Sequence, residues 1–482
     1  MTQLSADNLP ERVRSFGYDR DRVTAAILHF GIGNFHRAHQ AVYCEDLLEQ
    51  GETQWGITGV SMRSPSMRDA LKPQDYLYTL ATLGEQTEYR IIGAIKEVIV
   101  APEDPQAVIA LVAKPTTQLI TTTITEKGYC LNSAKVDFEH PNLRGELASL
   151  ENPKTIYGFL ARGIIQRCQN ENSQSKLTIL CCDNISAGGE LLKAGVEHLL
   201  QRHSAQGLAW SRENVCFASS MVDRVCPASD DDLRAMVYRD TERHDVWPVS
   251  AEPFTQWIIE SKFAGERPAL DQVGAVFVDD IAPFEQMKLR YLNASHSIIA
   301  ALGYLSGDAF VHQSIARQEL LNFTQEALKK NVLPIAAVPN DYDGATYIGD
   351  VIARFQNGNL PYANLQVGTD SSQKIQQRWF PTIDQAIAQS ADCSYFEFCL
   401  GAWVIFVQTA LENDDLNDPK RPMFEEVDTQ DLDVMAKSYL KIANAEEFVF
   451  YRQKNFMNSV IQHARAIKAN GISRALELFA PE

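Results

Sequence analysis

The chain has 482 residues, enough for two or three domains and an ample core. Its hydrophobic fraction of 45% and charged fraction of 22% are ordinary for a globular protein. The 44 Lys and Arg against 62 Asp and Glu leave a net charge of −18, which argues against nucleic acid or an anionic membrane as a partner and obliges any anionic substrate to find a local positive site.

The N-terminal half alternates apolar runs with helical patterns. AAILHFG (25–31) reads as a buried strand, and HRAHQAVYCEDLLEQG (36–51) as a helix ended by Gly51. WGITGVSM (55–62) is the next strand, followed by an irregular region. A helix is expected over 104–114, a β-branched strand over 117–125, a helix over 154–169 and a short buried strand over 176–184. Strands alternating with helices imply a parallel sheet covered on both faces. From about residue 284 the pattern becomes helical, with apolar-periodic segments over 283–306, 314–330, 343–356, 373–391, 394–412 and 430–479. The polar run NDDLNDPKRP (413–422) reads as an exposed loop. The expected architecture is α/β: a Rossmann-type dinucleotide-binding domain over 1–284, then a predominantly helical substrate domain over 285–482.

No apolar run approaches the roughly 20 residues of a bilayer span, and the start MTQLSADNLPERVRSFGYDRD is too polar for a secretory signal. A cytoplasmic protein is expected, as a monomer or small homo-oligomer. The nine cysteines show no CxxC or paired pattern and read as reduced, mostly buried thiols, with no metal site.

Two places carry chemistry. The first is Gly31-Ile32-Gly33-Asn34-Phe35-His36, directly after the first strand. It keeps two glycines of a G-x-G-x-x-G fingerprint, with His36 in place of the third. The first glycine permits the tight turn and the second lets backbone approach a pyrophosphate, with a helix N-terminus beyond to attract the anion. His36 and Arg37 are expected to add positive charge there. After the second strand there is no acid until Asp69, whereas Arg63 and Arg68 are placed to receive a 2'-phosphate. The loop therefore predicts NAD or NADP, held by Gly31, Ile32, Gly33, Asn34, Phe35 and Arg63.

The second place is KLRYLNASH, where Lys288, Asn293 and His296 fall within nine residues of one expected helix. A carbonyl under reduction needs a proton donor and hydrogen-bond donors aimed at its oxygen. A lysine of depressed pKa supported by an amide meets both needs without a metal. At about 100° per residue, Lys288 and His296 lie about 80° apart around a regular helix.

Together with these, GIGNFHRAHQA, TEKGYC, CDN, MVDR and EPFTQW resemble the long-chain mannitol dehydrogenase family over nearly the whole chain. The resemblance implies hydride transfer with a nicotinamide cofactor, NAD being favoured, on a secondary alcohol. It implies that Lys288 is the general acid/base. Asn293 and Asn184 would be amides for the reacting oxygen, and His296 a substrate-positioning histidine. Asp223 would belong to the substrate pocket. Apart from the resemblance, a carboxylate substrate wants a cation; Lys374 and Arg378 are nearby in sequence, and Lys374 is assigned to substrate. The segment QVGTDSSQK (366–374) is more similar to the family's fructuronate reductases than to its mannitol 2-dehydrogenases, which carry an arginine where Gln366 stands. A sugar-acid pair, D-mannonate and D-fructuronate, is therefore expected. The alternatives are D-mannitol and D-fructose, a tagaturonate reductase, or an epimerase that uses NAD transiently.

Overall fold

A computed structural model describes residues 2–132, 135–169, 175–340 and 342–479. It divides into two compact units, Met1–Ala282 and Pro283–Glu482.

The first unit is built on an eight-stranded sheet. In chain order its strands are β1 (Ile27–Phe30), β2 (Ile57–Ser61), β3 (Ile95–Val100), β4 (Leu119–Thr122), β5 (Leu177–Cys181), β6 (Val215–Asp223), β7 (Gln256–Glu260) and β8 (Val276–Val278). Across the sheet they run β8-β7-β6-β5-β4-β1-β2-β3. All neighbours are parallel except β6 and β7. The first six strands thus have the doubly wound order, whose direction of winding reverses between β1 and β4. Strands such as ILHF and LTILC are buried throughout because helices cover both faces. The two resulting cores include Leu47, Trp55 and Trp257 on one side and Val112, Leu160 and Val196 on the other.

The region read as irregular holds three strands. Tyr78–Leu83 and Thr87–Ile92 form an antiparallel hairpin that joins Val249–Ala251 in a separate small sheet. The third is β3, an edge strand whose partly exposed positions interrupt an apolar run. The helix expected over 36–51 is broken at His39 (φ −128°, ψ −89°) into Asn34–Ala38 and Gln40–Glu49.

The second unit is helical. Its longest helix, Ser394–Glu412, packs along Lys454–Asn470. This helix revises one expectation: it is long and apolar enough to cross a membrane, but 78% of its apolar window is buried within the protein. Its composition is accounted for by a place in the core. The run 413–422 is also less exposed than its polarity suggests. Leu416 and Asp418 are buried, and Asp418 accepts from the Ser372 amide and hydroxyl, both at 2.8 Å, at the start of helix Ser371–Arg378.

Candidate functional site

The nucleotide loop leaves the end of β1 with Gly31 at φ +102°, where a Cβ would lie 2.1 Å from the Thr123 carbonyl oxygen. Only glycine fits that turn. Gly33 is different, because a Cβ there would meet nothing of the protein within 4 Å. Its lack of a side chain answers no packing need, so the open space above it fits a ligand that approaches the backbone. Ile32 points inward and packs on Gly59 of β2. The Asn34 amide donates to the Ser229 hydroxyl (2.9 Å), and the Phe35 ring stacks on His39 at 5.0 Å. These three residues therefore offer a ligand their backbone rather than their side chains.

The positive charge expected from His36 and Arg37 is not at the loop surface. Arg37 is fully buried, donating to the Trp247 carbonyl (2.5 Å) and the Asn34 side chain (2.8 Å) and lying over Tyr78. His36, where the third glycine would stand, is fully buried and stacked on His29 at 3.4 Å. Burial first, then the neighbouring His29 and Arg37, holds its imidazole well below the usual histidine range, so it is neutral. His29 in turn bonds the Gly31 carbonyl (3.1 Å) and the Thr121 and Thr123 hydroxyls. These histidines support the turn from beneath. At the end of β2, Arg63 is exposed, while Arg68 is committed to ion pairs with Asp69 and Glu103.

The lysine helix is not regular. Helix Ala282–Met287 passes into a π-helix over Lys288–Asn293 and then into helix Ala294–Leu305. In a regular α-helix residues five apart sit about 140° apart around the axis. A π turn bonds residue i to i+5, which brings Lys288 and Asn293 one turn apart on the same side. His296 follows three residues later, again one turn on. The irregularity is held locally. The Ser295 hydroxyl donates to the Tyr291 (2.6 Å) and Leu292 (2.9 Å) carbonyls, and the Trp379 indole to the Ala294 carbonyl (3.1 Å). Lys288, Asn293 and His296 are each less than a tenth exposed.

His296 lies against the Phe355 ring at 4.3 Å and the edge of Tyr362 at 5.6 Å. Burial, and then the charges of Arg354, Arg378, Lys374 and Lys288, hold it well below the usual histidine range. It is therefore a neutral hydrogen-bonding group in cationic surroundings. Of these cations, Arg378 donates to the Asn293 carbonyl (3.0 Å) and the Ser297 hydroxyl (2.9 Å), and Lys374 to the Val367 carbonyl (2.9 Å). Gln366 is exposed on helix Asn364–Gly368. Arg354 was not singled out from sequence; the adjacent Phe355, within an apolar-periodic helix, gives no local signal of it.

The remaining motif residues cluster at the C-terminal ends of strands in the first unit. Asn184 is exposed just beyond β5, and Asp223 is buried at the end of β6 opposite Gln256. Arg224 of MVDR donates to the Ala38 (2.7 Å) and Glu252 (3.0 Å) carbonyls, which ties that motif to the helix after the loop and to EPFTQW. Asp183 of CDN accepts from the Ile124 (2.9 Å) and Thr125 (2.8 Å) amides and from the Tyr129 hydroxyl (2.5 Å) of TEKGYC. Among the described residues no three His, Cys, Asp or Glu side chains are grouped to hold a metal, and burial pushes all nine thiols up from their ordinary pKa.

Residues 25–272 match the family model of the mannitol dehydrogenase Rossmann domain, and residues 280–468 that of the mannitol dehydrogenase C-terminal domain. The chain is 33% identical to a D-mannonate oxidoreductase of Escherichia coli (strain K12) over 89% of its own length and 90% of the relative's. It is 32% identical to a mannitol 2-dehydrogenase of Phaeosphaeria nodorum over 86% and 74% of the two chains. Among solved structures it is similar to Pseudomonas fluorescens mannitol 2-dehydrogenase in a ternary complex with NAD and D-mannitol, with a TM-score of 0.89, 30% identity and 99% of each chain covered. The two domain matches and these full-length likenesses place the chain in the mannitol dehydrogenase family, as an oxidoreductase acting on a secondary alcohol of a polyol or sugar acid.

Proposed function

We propose that this protein interconverts D-mannonate and D-fructuronate with NAD. The observation that carries the sugar-acid reading is the cationic setting of His296, where Arg354, Arg378 and Lys374 all bear on one buried neutral imidazole. A carboxylate is stabilised in such a place, whereas an uncharged polyol has no charge to set against it. The relative named D-mannonate oxidoreductase, similar to this chain over most of both lengths, supports the same substrate.

The open space above Gly33 and the Gly31 turn fit a dinucleotide backbone, and the NAD complex of the similar Pseudomonas structure favours NAD over NADP. When bound, the nicotinamide supplies or accepts the hydride. The proton is the task of Lys288: its ammonium gives a proton to the carbonyl oxygen in reduction, and its amine takes the hydroxyl proton in oxidation. The Asn293 side-chain amide, one π turn away, donates to that oxygen, and Asn184 is assigned the same role. Neutral His296 bonds a neighbouring hydroxyl without adding another charge. Asp223 and Lys374 are assigned to the substrate's remaining polar groups.

D-mannitol and D-fructose form the second reading, favoured by the TM-score of 0.89 to an enzyme bound to D-mannitol. Oxidation of NADH and NADPH is followed with fructuronate, tagaturonate and fructose in parallel. The expected result is turnover with fructuronate and NADH. Fructose used while fructuronate is ignored selects the second reading, and no cofactor oxidation with any of the three rejects both. The organisation as a cytoplasmic monomer or small oligomer is part of the same proposal.

A further inference from the structure

Asp183 is buried between two loops that leave adjacent strand ends. Its Oδ1 accepts the Thr125 amide (2.8 Å), and its Oδ2 accepts the Ile124 amide (2.9 Å) and the Tyr129 hydroxyl (2.5 Å). Thr125 has φ +65° and ψ 159°, a region that is essentially glycine's. A threonine stays there only if its surroundings hold it, and the bond to Asp183 is one such restraint. Tyr129 also bonds the Thr122 hydroxyl (2.7 Å) and Cys181 Sγ (3.3 Å), so the web reaches both β4 and β5. On its other side Thr123 donates to the Gly31 carbonyl (2.8 Å). The next residue after Asp183 is Asn184, exposed beyond the strand end.

We propose that the ionised Asp183 carboxylate is a positioning residue. By clamping the strained Ile124–Thr125 backbone after β4, it sets the direction in which the Asn184 amide leaves β5. The inference rests on the oxygen-binding role proposed above for Asn184. An aspartate is suited to this task because only a carboxylate accepts three bonds from two directions with no donor to misplace. A neutral acid would put a hydrogen where the backbone amides donate, and the clamp would loosen.

The groups facing Asp183 are Tyr129 and Glu126 from the turn after β4, and Cys181 and Cys182 from β5. Burial pushes its carboxyl up to about 6, Glu126 adds to the rise, and Tyr129 with the two amides opposes it. The clamp therefore titrates within the range of a rate assay.

The test uses the keto substrate that the wild type reduces with NADH, between about pH 5 and pH 8.5. In this direction the general acid Lys288 must carry a proton, so its loss lowers the rate on the alkaline side. An acid-side fall in kcat near pH 6, about tenfold per unit below it, belongs to Asp183. Asp183→Asn is expected to lose about tenfold or more in kcat near pH 7.5 and to lose the acid limb. Its KM for NADH should change little, because His29 and Thr123 still hold Gly31. Tyr129→Phe, which removes a bond that favours the charged form, should move the limb to higher pH without abolishing it. An acid limb that persists near pH 6 in Asp183→Asn, or that does not move in Tyr129→Phe, overturns the proposal.

Thermal melting of the protein without cofactor gives an independent reading. The native carboxyl keeps its proton to about pH 6 while the unfolded one releases it near 4. Wild-type stability should therefore fall relative to Asp183→Asn as pH rises across that window. Parallel melting curves would also overturn the assignment. Absence of turnover with every keto substrate would instead reject the function itself, and the melting comparison still stands.

Discussion

At the scale of single residues, Gly31 and Gly33 look alike in sequence and differ in what they do. Gly31 is required by the protein, since φ +102° and the Thr123 carbonyl leave no room for a Cβ. Nothing within the protein requires Gly33, where a Cβ would meet nothing within 4 Å. Gly31→Ala is expected to destabilise the fold, visible as a lower Tm. Gly33→Val should keep the wild-type Tm within a degree or two and lose NADH binding in a fluorescence titration. A Gly33→Val protein that binds NADH normally would remove the pyrophosphate from this loop. Lys288→Ala should lower kcat by roughly 10²–10⁴ while cofactor affinity survives, and near-normal turnover at neutral pH would reject the acid/base role. Motif and spacing alone single out these residues in the sequence. Asp183 was passed over although CDN was noticed, because a carboxylate between a cysteine and an asparagine gives no sign of which backbone amides will reach it.

At the scale of elements, the π-helix over Lys288–Asn293 decides whether three suggestive side chains share a face. Sequence spacing read on a regular helix splays Lys288 and Asn293 apart; one altered turn aligns them. π turns are uncommon and costly relative to an α-helix, and they are frequent at functional sites. Ser295 is a main local restraint, fully buried with its hydroxyl on the Tyr291 and Leu292 carbonyls. Ser295→Ala should cost about 1–2 kcal/mol in denaturant unfolding and reduce kcat several-fold more than it changes the KM for NADH. If kcat is untouched while stability falls, the turn is not what places the lysine. Propensity rules cannot reveal such a turn, because it depends on Trp379, eighty-odd positions away, donating to the Ala294 carbonyl. The same limit applies to the break at His39, which divides a helix whose apolar pattern reads as continuous.

At the scale of the molecule, stability carries the mark of buried imidazoles. Burial holds His36 and His296 well below the ordinary histidine range and lowers His29 to about 3. Because each folded-state pKa is depressed, the unfolded chain binds protons first as pH falls through about 6.5. The stability these groups contribute is present above that value and is lost below it. Five carboxyls act in the opposite sense: burial pushes Glu45 up to about 7 and Asp183 to about 6, and it raises Glu146, Asp245 and Glu397 as well, so the net profile is a balance. A single substitution isolates one side of it. Relative to wild type, His36→Leu should gain about 1.4 kcal/mol per pH unit below pH 6.5, measured by urea unfolding between pH 5 and pH 8. A constant difference across that range would mean that His36 takes up its proton at the same pH in the fold as in the unfolded chain, and would reject the burial-depressed imidazole.

The sequence by itself determined the class of fold and the kind of chemistry. Alternating apolar strands and helices, then long helical periodicity, need no tertiary information, since a short buried run and an amphipathic repeat are each local to their element. A glycine turn after β1 and a lysine near an asparagine and a histidine are likewise local facts. What the tertiary structure decided was the geometry and the electrostatics. It placed His36 and Arg37 beneath the loop instead of on it. It aligned Lys288 with Asn293 through a π turn, and it set Arg354, Arg378 and Lys374 around His296 from three separate helical positions. Burial and long-range contact fix the charge state and direction of a side chain, and residues distant in sequence supply both.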